Sequence, residues 1–144
     1  MRLRFFAALA LAVLCGCNSK PYSVATVSGR VTLDGKPLPK ASITFVPMAT
    51  KENIAPGPTA TALTDADGRY TLTVDKDTPG AVVGRCRIFV TTRFTDSPPP
   101  DRDGGLPMRL PKDKVPEKYN TRTELTFDVP TGGTDHADFD LKSR

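Results

Sequence analysis

The chain of 144 residues has no tryptophan, a single histidine, His136, and only three cysteines, Cys15, Cys17 and Cys86. Each shortage removes a class of chemistry. One imidazole excludes any centre built on several histidines, and three thiols exclude a four-cysteine zinc or iron–sulfur site. A metal would have to be held mainly by carboxylates. Long apolar runs are also missing. The stretch FFAALALAVLCG, residues 5–16, is roughly half the ~20 residues of a membrane-spanning helix. Neither sign of charge dominates: 20 Lys and Arg face 16 Asp and Glu, and Arg2 and Arg4 supply two of the four net positive charges. No strong basic face is available, so no nucleic-acid partner is expected. No stretch repeats apolar residues at helical spacing, and no internal period recurs.

What the sequence does have is turns and short alternating runs. Fourteen prolines and eleven glycines are spread among segments rich in Thr and Val, the pattern of strands punctuated by turns. VATVSGRVTL alternates Val27, Gly29, Val31 and Leu33 with Thr26, Ser28, Arg30 and Thr32. Asp34-Gly35 then turns the chain. ASITFVP points Ala41, Ile43 and Phe45 inward, and a weaker small-residue strand follows in TATALTD. After the Asp67-Gly68 turn, Tyr70, Leu72 and Val74 alternate with Arg69, Thr71 and Thr73. GRCRIFVTT sets Cys86, Ile88 and Val90 against Arg85, Arg87 and Phe89. TELTFDV and DHADFDLK close the chain around a PTGG turn. The alternation predicts an all-β fold of about seven strands, as a seven-stranded antiparallel β-sandwich at 24–144. It leaves a long proline-rich loop at about 94–118, with Pro98-Pro99-Pro100 favouring extended polyproline.

The N-terminus reads as a processed segment. MRLR is basic, the apolar run has the length of a secretory signal core, and polar residues follow at once. Leu14, Cys15, Gly16 and Cys17 resemble the lipobox of bacterial lipoprotein signals. That resemblance implies a signal peptide over 1–16, cleavage after Gly16, and lipid attachment to Cys17. A tether over 17–23 would follow, and the protein would be held on a bacterial envelope membrane, with a mild preference for the outer one. Two or three acyl tails make a stable anchor where one does not. Cys86 is then left without a partner, so stability must come from an ordinary core. About 125 residues suffice for one small domain.

Three further stretches carry a second resemblance: VSGRVTLDGKPLPKASITFVP, TDADGRYTLTV, and VPEKYN followed by TELTFDVPTGG and DFDL. Together they resemble carboxypeptidase-regulatory-like, transthyretin-like domains, close to the Cna-B-like sandwiches. More narrowly, they resemble the small predicted lipoproteins numerous in planctomycete bacteria. The resemblance implies a prealbumin-like sandwich and no particular activity. Transthyretin-like hydrolases use several histidines and a C-terminal Tyr-Arg-Gly-Ser signature, whereas this chain ends LKSR.

Candidate functional residues are few. In TDADGRY, Asp65 and Asp67 are expected to accept turn amides, Gly68 to take a positive φ, and Tyr70 to enter the core. An EF-hand reading fails because the twelfth position counted from Asp65 is Lys76. A looser cation site shared by Asp65, Asp67, Asp75 and Asp77 is the alternative, and with it a carboxylate-based metal protein or enzyme. His136 stands beside Asp135 and near Asp138 without a nucleophile close in sequence. Cys86 is expected to be a buried structural thiol. Arg69, Arg85, Arg87 and Phe89 are expected to line one outer sheet face and contact an acidic glycan or protein. The functional expectation is a lipid-anchored, non-catalytic structural or binding module without a cofactor.

Overall fold

A computed structural model describes residues 22–51, 54, 56–93 and 112–144. Gly16, Cys17, the expected signal and the proline triplet at 98–100 lie outside the described residues. The described chain is nearly all β, with no α-helix: β1 (Val24–Ala25), β2 (Ser28–Leu33), β3 (Lys36–Pro37), β4 (Ser42–Pro47), β5 (Ala60–Leu63), β6 (Arg69–Thr71), β7 (Ala81–Val82), β8 (Gly84–Thr91), β9 (Thr126–Val129) and β10 (Phe139–Leu141), with a 3-10 turn at Glu117–Tyr119. One four-stranded sheet, here sheet I, has β2 paired with β10, β3 and β6. Sheet II runs β5-β4-β8-β9, and β1 pairs with β7 separately.

Strand number and pairing both depart from expectation. Ten strands form among the described residues, not seven. VATVSGRVTL divides into β1 and β2, and the short strands β3 and β7 form outside the alternating runs. Each of these is two residues long, too short for alternation to show. The fold is also not purely antiparallel, because β10 runs parallel to β2 with Phe139 opposite Val31 and Leu141 opposite Leu33. The other strand pairings are antiparallel.

Alternation places the core correctly. Ala41 just before β4, Ile43 and Phe45 of β4, and Cys86, Ile88 and Val90 of β8 are all fully buried. The sheets meet through three aromatic rings. Phe45 and Phe127 come from sheet II and Phe139 from sheet I, with centroids 5.9, 6.1 and 6.0 Å apart in edge-on geometry. Such pairs contribute about 0.5–1.5 kcal/mol each beyond their buried area. The arrangement is β-sandwich-like, with one apolar core between sheets I and II.

The turns are as local as the sequence implies. Asp34 and Gly35 both have positive φ, 51° and 79°, as a two-residue type I′ hairpin between β2 and β3 requires. Thr64 is buried and clamps the preceding turn: its hydroxyl accepts Ala41 N–H at 2.8 Å and donates to Leu38 O at 2.7 Å. Ser23 is tied to the fold ahead of β1, since its carbonyl accepts Val83 N–H at 2.9 Å.

The segment expected as loop through 118 is ordered at its C-terminal end by one carboxylate. Asp113 accepts from the Thr91 hydroxyl, from Thr92 N–H and hydroxyl at 3.0 and 2.9 Å, from Val115 N–H at 3.0 Å, and from Asn120 Nδ2 at 3.1 Å. This places Val115 in the core and explains VPEKYN structurally. Asn120 also donates to Val115 O at 3.2 Å, and Tyr119 Oη accepts Lys142 N–H at 3.1 Å.

Cys86 is fully buried, with Sγ 3.7 Å from Val82 O. Burial, assisted by the charge of Asp128, pushes its thiol up to about 11. Because the thiolate is the reactive form, Cys86 is expected to resist iodoacetamide in the native protein and to react readily in denaturant. Rapid native labelling at pH 8, followed by mass spectrometry, would contradict its placement.

Candidate functional site

Sheet I carries a polar cleft on its outer face. In the β2–β6 ladder Arg30 stands directly opposite Arg69, Gly29 opposite Tyr70 and Ser28 opposite Thr71. Alternation therefore turns both guanidinium groups outward while Tyr70 turns in. On the other side of β2, the segment leading into β10 brings Asp138 alongside, and its Oδ1 accepts Arg30 N–H at 2.8 Å. The resulting cleft of about 730 Å³ is bordered by Arg30, Arg69, Asp65, Asp135, Asp138 and Leu63, among others.

Each neighbouring acid already has a task. Asp65 Oδ1 accepts the backbone N–H groups of Asp67 and Arg69 at 2.9 Å each, which closes the TDADGRY turn. Asp135 Oδ1 lies 3.1 Å from His136 Nε2, with both side chains about four-fifths exposed. Arg30 Nε donates to Asp67 O at 2.9 Å, which fixes the plane of that guanidinium. Among the described residues, neither Arg30 nor Arg69 forms an ion pair with a carboxylate. Two like charges are thus held opposite each other beside three acids that do not bridge them, an arrangement that costs stability on its own.

The floor of the cleft is rigid and unreactive. Tyr70 is buried and its hydroxyl donates to Ala137 O at 2.5 Å. Desolvation, then the charge of Asp138, drives its pKa far above the ordinary tyrosine value. It stays protonated at neutral pH and is unsuited to acid–base exchange there. Gly68 takes the expected positive φ, 74°. Four residues of the TDADGRY motif are therefore accounted for by folding: Thr64 clamps, Asp65 caps, Gly68 turns and Tyr70 packs.

The expected site residues divide among several places. Arg69 lies on sheet I, whereas Arg85, Arg87 and Phe89 lie on β8 of sheet II. The expected single face is corrected: these are two outer faces, because β6 pairs with β2 and not with β8. On sheet II, Arg85 stands opposite Asp128, Arg87 opposite Val46 and Thr126, and half-buried Phe89 opposite Thr44. The four acids Asp65, Asp67, Asp75 and Asp77 are not gathered. Asp75 closes a separate turn by accepting from Asp77 N–H at 2.9 Å and Thr78 N–H at 2.8 Å. Among the described residues, no group of three or more His, Cys, Asp or Glu side chains could hold a metal ion. Sequence reasoning placed Arg30 on an outer face but missed its pairing with Arg69. The only signal was its outward place in the alternation, since the β2–β6 pairing is non-local.

No family model, no curated protein and no solved structure matches this chain.

Proposed function

We propose that this protein is a lipid-anchored, non-catalytic binding module of a bacterial cell envelope, of the carboxypeptidase-regulatory-like, transthyretin-like type. Acylated Cys17 holds it to the membrane, and the outer face of sheet I captures an envelope ligand. The observation that carries the binding role is the cross-strand pair Arg30–Arg69, displayed on a rigid strand ladder without a carboxylate counter-ion among the described residues. Arg30 is already oriented by its bond to Asp67 O and so loses less freedom on binding, and guanidinium forks suit recognition without bond chemistry. The lipid role is supported by the LCGC sequence and its basic and apolar flanks.

The two parts are tested separately. In cells fed radiolabelled palmitate, the full chain is expected to take up label and fractionate with membranes. Cys17→Ser is expected to lose both; unchanged labelling of that variant removes the anchor from the account. For binding, the full chain is extracted in mild detergent, immobilised, and exposed to envelope fractions. Arg69→Ala is expected to retain several-fold less material than wild type while melting at the same temperature. Equal retention removes the cleft.

A further inference from the structure

We propose that the sheet I cleft recognises a saccharide bearing a single carboxylate, of the uronic acid class, with the carboxylate seated between Arg30 and Arg69. This deepens, and rests on, the reading of the protein as a binding module.

The argument starts from what the cleft offers. Arg30 and Arg69 are exposed and in direct cross-strand register, so one oxyanion can receive charge-assisted hydrogen bonds from both. The Arg30 fork is already oriented by its bond to Asp67 O. The three nearby acids, Asp65, Asp135 and Asp138, are turned toward backbone amides or His136, not toward the guanidinium groups. The place for an anion is therefore built and unfilled by the described residues.

The remaining lining selects the rest of the ligand. Asp135 and Asp138 retain acceptor capacity, because a carboxylate has about four lone-pair sites. Hydroxyl groups, which donate, suit that wall. Leu63 borders the same cleft and is 58% exposed. It offers a surface for the C–H face of a sugar ring. The cleft volume falls within the ~300–1,000 Å³ range of small-molecule sites. Other anions fit less well. Inorganic phosphate would use the arginines and leave the acidic wall and Leu63 unmatched. An acidic peptide would bring several carboxylates against Asp65, Asp135 and Asp138.

The test uses the full chain in detergent and two probes. One is a trisaccharide with one glucuronate residue; the other is the same trisaccharide with glucose in that position. Isothermal titration is expected to show at least ten-fold tighter binding of the glucuronate probe, weakening as salt rises. Arg69→Gln and Arg30→Gln are each expected to lose at least ten-fold for that probe and to leave the neutral one little changed. Lys36→Gln, an equal charge change on β3 outside the cleft, is expected to bind like wild type. Melting curves establish that each variant is folded, and Arg69, whose side chain supports no turn, keeps the test valid if Arg30→Gln is unstable. Equal affinity for the two probes overturns the proposal. So does glucuronate binding that is indifferent to Arg69. If neither probe binds while Arg69-dependent retention of envelope material persists, the ligand class is wrong and the binding role stands. If that retention is lost as well, both fail.

Discussion

Gly29→Ala is expected to destabilise the domain by about 3 kcal/mol or more, at or beyond the upper end of ordinary overpacking changes. The reason is a backbone approach that leaves no room for a side chain. A Cβ on Gly29 would fall inside the carbonyl group of Ala137. Neither partner is a side chain that can rotate away, so β2 and the segment leading into β10 must separate. That separation is costly because several interactions meet at residue 137. Ala137 N–H donates to Ser28 O at 3.0 Å, its carbonyl accepts the Tyr70 hydroxyl, and its methyl is fully buried. Tyr70→Phe, which removes only the hydroxyl and strands that carbonyl, is expected to cost less, about 1–3 kcal/mol. Urea denaturation of the three proteins measures both. A Gly29→Ala midpoint equal to wild type would show that this approach does not exist in solution.

Replacing Asp113 should have the second large effect, and one that depends on pH. Desolvation pushes the Asp113 carboxyl up, but the bonds from Thr91, Thr92 and Val115 outweigh it and hold the pKa below the ordinary value. A carboxylate with a lowered folded pKa stabilises the fold only while ionised. Its contribution is complete above the unfolded value near ~4 and is lost as pH falls through the lower folded value. Asp113→Ala is expected to cost about 3 kcal/mol at pH 7, because it leaves several donors unsatisfied. Asp113→Asn keeps the shape but places a donor group among donors, and is expected to lose the acid-dependent part selectively. The gap in stability between wild type and Asp113→Asn should therefore narrow from pH 7 to pH 3. Asp34, whose carboxyl is also held down by its bonds with Ser143, is the same in both proteins and cancels from the comparison. A gap independent of pH would remove charge from the role of Asp113.

These two residues mark where sequence and structure part. Alternation exposes every long strand, because a half-buried strand repeats with period two; Ile43, Phe45, Ile88 and Val90 all fall where it puts them. The Asp34-Gly35 and Asp67-Gly68 turns are legible because their geometry is set by adjacent residues. The Asp113 cluster is not, since its partners Thr91 and Thr92 lie more than twenty residues away and nothing in a proline-rich stretch marks one Asp among others. Gly29 reads as an ordinary alternating position until Ala137 is placed beside it. The same limit applies to the candidate site. Arg69 could be picked out as an outward cation, but which cation stands opposite it is a fact of pairing. Assigning it to a face with Arg85 and Arg87 assumed that outward strand residues share one surface, whereas two sheets have two.

The parallel pairing of β10 with β2 also bears on how the domain would carry mechanical load. The described chain enters at Tyr22, just before β1 and β2, and leaves at Arg144, just after β10. With the two strands side by side and parallel, a pull between these ends slides one strand along the other. The Phe139–Val31, Asp140–Thr32 and Leu141–Leu33 positions resist together, along with the Asp138–Arg30 and Ala137–Ser28 bonds. An antiparallel terminal hairpin pulled from its open end would instead unzip one bond at a time. Tension between the two ends is thus opposed in shear by the ladder that also supports Arg30.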